Sequence, residues 1–80
     1  MHDVIDVRYV RDYVLWVKFE DGSEGEVNLA TSLRGPVFQP LKEIAYFKQV
    51  RVNPELGTIV WPNGADIAPE TLHQRIHAAV

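Results

Sequence analysis

The best-spaced residues for metal chemistry are two histidines one helical turn apart, His73 and His77, with Glu70 three positions before the first. On a helix, i,i+4 spacing puts both imidazoles on one side, and the carboxylate at i−3 can join them. Two imidazole nitrogens and a carboxylate oxygen suit zinc or nickel. No Glu follows His73 directly, so the H-E-x-x-H arrangement of a metalloprotease is missing. By helical projection the pair borders a Leu72/Ile76 stripe on its solvent side. It reads as a surface pair, and no metal or other cofactor is expected.

A second candidate is the loop Trp61-Pro62-Asn63-Gly64-Ala65-Asp66. Asn63 and Asp66 could hold a ligand, or a partner's arginine, against the Trp61 indole, because aromatic faces attract guanidinium groups. Turn chemistry explains the same residues: Pro62 presets φ, Gly64 supplies freedom, and Asp66 accepts hydrogen bonds from backbone amides near a helix start. The acidic residues Glu20, Asp21, Glu24 and Glu26 surround a tight turn, where carboxylates ionise normally. Such a cluster keeps a sheet edge soluble and attracts a basic partner. Ser23 and Ser32 have no nearby histidine in a recognisable order, and the glycines are dispersed among turns rather than gathered into a phosphate loop. No enzymatic activity is expected.

The elements that carry these residues follow from periodicity. Val4 to Arg11 alternates as a strand, with Ile5, Val7 and Tyr9 on one side. Tyr13 to Phe19 alternates on both faces: Leu15, Val17 and Phe19 on one, Val14, Trp16 and Lys18 on the other. Asp21-Gly22 marks a hairpin turn into Ser23 to Leu29. A short helical segment beginning at Pro40 is expected to close onto the core through Tyr46 and Phe47. Gln49 to Asn53 and Thr58 to Trp61 make a second hairpin. Pro69 opens a last helix to about Ala79, with an apolar stripe of Leu72, Ile76, Ala79 and Val80. The order β-β-β-short α-β-β-α predicts an α+β domain over residues 1–80: a mostly antiparallel sheet of about five strands with the C-terminal helix packed on one face.

A length of 80 residues makes one thin-cored domain, and two Trp, three Tyr and three Phe are enough to order it. There is no cysteine, hence no disulfide, thiolate site or thiol nucleophile. The formal net charge is −3 with basic residues scattered singly, which argues against direct nucleic-acid binding through phosphates. Neither a signal peptide nor a membrane-spanning run is legible, so a cytoplasmic location is expected.

One pattern favours binding. Both faces of the central strand are apolar, and one short helix covers only one face of a sheet. Either the Gly35–Phe47 segment folds over this second face and completes the core, or the face, with Tyr13, Trp16 and Trp61, docks another protein or a second copy of this chain. A nucleic-acid-associated regulator is the alternative, and a small-ligand or metal-dependent enzyme the third reading.

The blocks F-E-D-G at Phe19 to Gly22, V-N-L at Val27 to Leu29 and G-P-V-F-Q-P-L at Gly35 to Leu41 run along the chain in order. F-K-Q-V-R-V at Phe47 to Val52 and G-T-I-V-W-P-N-G-A-D-I-A-P-E at Gly57 to Glu70 follow. With these the chain resembles the DUF2442 family of small bacterial proteins of unassigned function over nearly its whole length. The resemblance implies a compact α+β fold similar to the amino-terminal domain of a structurally characterised relative. Some relatives add a DNA-binding helix-turn-helix domain. Family members are often encoded beside another small protein, which implies an antitoxin-like or regulatory role. No catalytic or binding residues are established for the family, so none carries over.

Overall fold

The structure, a computed structural model, describes residues 2–78, with the backbone alone at 77 and 78. Among the described residues, six strands form two antiparallel sheets of three strands each. The first is a meander of β1 (Val4–Arg11), β2 (Val14–Phe19) and β3 (Glu24–Asn28), with β2 central. A 3-10 helix (Pro36–Lys42) and one turn of α-helix, α1 (Ile44–Phe47), lead into the second sheet. This comprises β4 (Arg51–Asn53), β5 (Thr58–Val60) and β6 (Asp66–Ile67), with β5 central. Helix α2 (Pro69–Ala78) closes the chain. The α+β class and the C-terminal helix are as the sequence predicts. The expected single sheet is instead two, and β6, two residues long, is too short to show any periodicity in sequence.

Turn chemistry sets the hairpins. Asp12 takes a left-handed φ of 43° between β1 and β2, a conformation that Asp tolerates better than most side chains. Gly22, at φ 90°, closes β2 onto β3, with the Gly22 N–H donating to the Phe19 carbonyl at 3.0 Å. Between β4 and β5 the Asn53 side chain accepts the N–H groups of Glu55 and Leu56 at 2.9 and 3.2 Å. Gly57 ends that turn at φ 69° and its carbonyl accepts the Val4 N–H at 2.9 Å, which ties the two sheets together at one corner.

Alternation along β1 is not continuous. Its pairing with β2 steps from Val4↔Phe19 to Asp6↔Lys18, and from Tyr9↔Leu15 to Arg11↔Val14, so Ile5 and Val10 are each one residue too many. These are β-bulges, which eject the extra residue from the ladder. The two ejected side chains are 54% and 37% exposed. Ile5 therefore leaves the apolar side on which simple alternation places it, and Val4 is buried in its stead. The bulges let Val4, Val7 and Tyr9 all stand opposite the core residues Phe19, Val17 and Leu15.

The inner face of the first sheet is fully covered. Leu15, Val17, Phe19 and Val27 share one buried cluster with Leu41 and Phe47, with Ile59 and Trp61, and with Leu72 and Ile76 of α2. Gly25 allows α2 to settle on β3, since a Cβ built there would lie 3.2 Å from the Ile76 Cβ. Phe47 is the junction of the aromatic core. It meets Tyr9 and Tyr13 edge-on at centroid distances of 6.1 and 5.4 Å, and Trp61 at 5.8 Å. The segment from Gly35 to Phe47 thus packs on the same side as α2, not on the opposite face. Ala79 and Val80, expected to extend the α2 stripe, lie outside the described residues.

Candidate functional site

The 61–66 loop is built as a structural tie. Trp61 is 1% exposed and its indole N–H donates to the Phe47 carbonyl at 2.9 Å, so it is a core residue and offers no surface to a partner. The strand-exit position that looked half-open in the sequence is turned inward, because β5 is the central strand of its sheet and all three of its residues are buried. Asn63 uses both ends of its amide. Its Nδ2 donates to the Val37 carbonyl at 2.8 Å, pinning the 3-10 helix, and its Oδ1 accepts the Ala65 N–H at 3.1 Å. Asp66 is exposed on β6 opposite Val60, and among the described residues its side chain makes no hydrogen bond. Ala68, not Asp66, precedes the first turn of α2, accepting the N–H groups of Thr71 and Leu72 through its carbonyl. The helix-capping expectation for Asp66 is thereby corrected.

Tyr13 also faces inward. Its hydroxyl donates to the Lys42 carbonyl at the end of the 3-10 helix, while its ring packs on Phe47. Of the aromatic residues assigned to a docking face, only Trp16 stands on the outer side of the first sheet.

Register defines that outer side. Asp6, Arg8 and Arg11 on β1 stand opposite Lys18, Trp16 and Val14 on β2, and these in turn stand opposite Glu24, Glu26 and Asn28 on β3. Arg8 lies over the Trp16 ring at 5.4 Å from its centroid. Arg11 pairs with Glu26 at 3.4 Å, Arg8 with Asp6 at 3.8 Å and Lys18 with Glu24 at 4.0 Å. Val14 is buried and Trp16 half-buried among these long side chains. The broad apolar face expected from β2 alone reduces to one indole inside a lattice of ion pairs, because the matching positions of both neighbouring strands are charged except for Asn28. Arg and Lys stems shelter apolar surface while keeping their charges in water.

Part of the acidic hairpin joins the same pairing. Glu24 and Glu26 have their cross-strand bases, and Asp21 turns toward the opposite end of the chain. Asp21 Oδ1 accepts the Ser23 N–H at 2.9 Å, and its Oδ2 lies 3.0 Å from His73 Nε2 and 3.7 Å from His2 Nδ1. The Ser23 backbone N–H and then the Ser23 side chain hold the Asp21 carboxyl well below the usual carboxylate range; desolvation opposes them, and His73 adds a smaller lowering effect. An ionised carboxylate only accepts, so His73 Nε2 is the donor of that bond. The two imidazoles stack with centroids 3.8 Å apart and planes at 15°, and the Phe19 ring meets His73 edge-on at 4.9 Å. His73 therefore converges with Asp21 and His2, 52 residues away in the first case, rather than being defined by its helical neighbours. The His77 side chain lies outside the described residues. In sequence Asp21 belongs to the acidic hairpin cluster and nothing ties it or His2 to His73, because no local pattern links a residue before β1, a hairpin turn and a helix.

The architecture is that of a small α+β domain: two three-stranded antiparallel sheets around one aromatic core, with charged ion pairs on one outer face and a His–Asp–His cluster at one end. The family model described as "Protein of unknown function (DUF2442)" matches residues 4–78, and the chain belongs to that family. No curated protein and no solved structure matches it. Among the described residues no helix is long and apolar enough to cross a membrane.

Proposed function

We propose that this protein is a non-enzymatic, cytoplasmic protein–protein interaction module, the regulatory or antitoxin-like half of a two-protein system. The observation that carries the reading is Trp16, a half-buried indole on the outer face of the first sheet, with the Arg8 guanidinium over its ring at 5.4 Å. Trp and Arg are the residue types that most often dominate binding energy, and they do so when ringed by groups that exclude water. The paired charges of Asp6, Arg11, Lys18, Glu24 and Glu26 supply such a polar rim. The partner is a different protein with a flat surface of mixed charge, whose own acidic and basic groups exchange with these pairs. Pairing within the chain leaves the formal net charge at −3, so a basic partner is still favoured during approach.

Direct nucleic-acid binding is the weaker reading. A phosphate-binding face needs unpaired cations to release counterions, and Arg8, Arg11 and Lys18 each have a carboxylate within 4.0 Å.

The test is stoichiometric co-purification from native lysate, followed by reconstitution with the isolated partner. Trp16→Ala is expected to weaken binding by about 30-fold, the size of a hot-spot loss, while the melting temperature stays close to wild type. Ile5→Ala serves as an exposed control that leaves binding unchanged. Undiminished binding by Trp16→Ala overturns the reading. So does a wild-type dimer in sedimentation that Trp16→Ala disperses, since the face would then serve self-association.

A further inference from the structure

We infer that His2, Asp21 and His73 form a site for a borderline divalent transition-metal ion such as Zn2+. The three ligand atoms, one from each side chain, lie within 4.8 Å of one another. A tetrahedral zinc ion with bonds of about 2.0–2.1 Å holds its ligand atoms roughly 3.3–3.4 Å apart. The distances from Asp21 Oδ2 to His73 Nε2 and His2 Nδ1, 3.0 and 3.7 Å, bracket that value. Binding one ion requires the stacked rings to swing apart, because in-plane lone pairs of two nearly parallel imidazoles with centroids 3.8 Å apart do not converge on one point; the ion then replaces the proton on His73 Nε2 that faces Asp21.

The chemistry of the set is also selective. Two imidazole nitrogens and one carboxylate oxygen suit zinc and its neighbours better than calcium or magnesium, which demand oxygen. His2 Nδ1 is buried and has no hydrogen-bond partner among the described residues, so a nitrogen withdrawn from water is left for an ion to engage. The supporting contacts are those expected of a built site. The Ser23 N–H fixes Asp21 Oδ1 and leaves Oδ2 to the imidazoles, and the Phe19 ring holds the edge of His73. The His73 side chain is 15% exposed, whereas His2 and Asp21 are 42% and 38% exposed, so the cluster is sheltered on the α2 side and open on the other. Three protein ligands leave a fourth position on that open side for water or for a ligand from another molecule. The ion would join the segment before β1, the β2–β3 hairpin and α2 through side chains, beside the backbone bond from the Glu20 N–H to the Asp3 carbonyl at 2.9 Å.

The experiment is calorimetric titration of the tag-free chain with Zn2+, cross-checked by the visible absorption of Co2+. One ion per chain is expected, with His2→Ala, Asp21→Asn and His73→Ala each weakening binding by at least ~10-fold, a loss at the low end for altered zinc sites. His77→Ala is expected to bind as wild type does. His2 precedes β1, outside the buried core, so His2→Ala keeps the test decisive even if His73→Ala misfolds. Absence of saturable binding by wild type overturns the inference. Full binding by His2→Ala overturns it as well, and losses confined to His73→Ala and His77→Ala would place the ion on the helical i,i+4 pair instead.

Discussion

The indole N–H of Trp61 donates to the backbone carbonyl of Phe47 at 2.9 Å, inside the core, and the two rings pack at 5.8 Å. This one relationship joins the end of α1 to the exit of β5 and fixes the orientation of the second sheet against the aromatic cluster. Trp61→Phe removes the donor, leaves the Phe47 carbonyl without its partner, and opens a void. An unsatisfied buried acceptor costs about 1–3 kcal/mol, and the lost volume adds to it. We expect about 3 kcal/mol of destabilisation by urea denaturation. For a domain of this size that corresponds to a fall in melting temperature of roughly 12–24 °C. A variant as stable as wild type would remove Trp61 from the core.

The two bulges in β1 make a prediction that simple alternation reverses. Ile5 is ejected from the ladder, so Ile5→Lys is expected to change stability by no more than about 0.5 kcal/mol. Val7 packs against the core opposite Val17. Val7→Lys, which brings a charge to that face, is expected to cost about 2 kcal/mol or more. Equal effects at the two sites in chemical denaturation would mean that the Val4/Asp6 bulge is absent.

Gly25 is the close approach between β3 and α2. Gly25→Ala is expected to destabilise by about 1 kcal/mol, because its new Cβ meets the Ile76 Cβ at 3.2 Å and the helix must shift. Combining it with Ile76→Ala, which deletes the Cγ2 methyl that the new Cβ also meets, tests the contact. The double mutant should lose less than the sum of the singles, by at least ~0.5 kcal/mol. Strict additivity in the cycle would separate the two residues.

Gly57 is constrained twice over. Its φ of 69° disfavours any side chain, and a Cβ there would sit 2.6 Å from the Asp3 carboxylate. Gly57→Ala is expected to cost about 2 kcal/mol, from backbone strain and the clash together. Adding Asp3→Ala relieves the clash and leaves the strain, so only part of the loss returns. Complete recovery in thermal melts would show that the backbone conformation carries no cost.

Asn63 holds the 3-10 helix through a single donor. Asn63→Asp keeps the acceptor for the Ala65 N–H and replaces the donor to Val37 with an anion facing a carbonyl. A loss of about 1 kcal/mol is expected, with faster amide exchange confined to residues 36–42. Unchanged exchange in that segment would make the Asn63–Val37 bond dispensable.

What could be read without coordinates was local in origin. The hairpin at Asp21-Gly22, the strand at Val14–Phe19 and the start of α2 at Pro69 each depend on residue types only a few positions apart, so turn chemistry and periodicity decided them. The α+β class followed from the order of those elements. The fate of individual side chains did not follow. Whether Trp16 or Trp61 faces outward depends on which strands flank each one, and β6 and the β1 bulges leave no periodic trace. Charged cross-strand partners turned an apparently apolar face into an ion-pair lattice, because alternation within one strand says nothing about its neighbours. The His2–Asp21–His73 cluster is the extreme case. Its members are distant along the chain and meet only because α2 lies across β3 beside the hairpin, so side-chain chemistry was legible in sequence while convergence belonged to the packing.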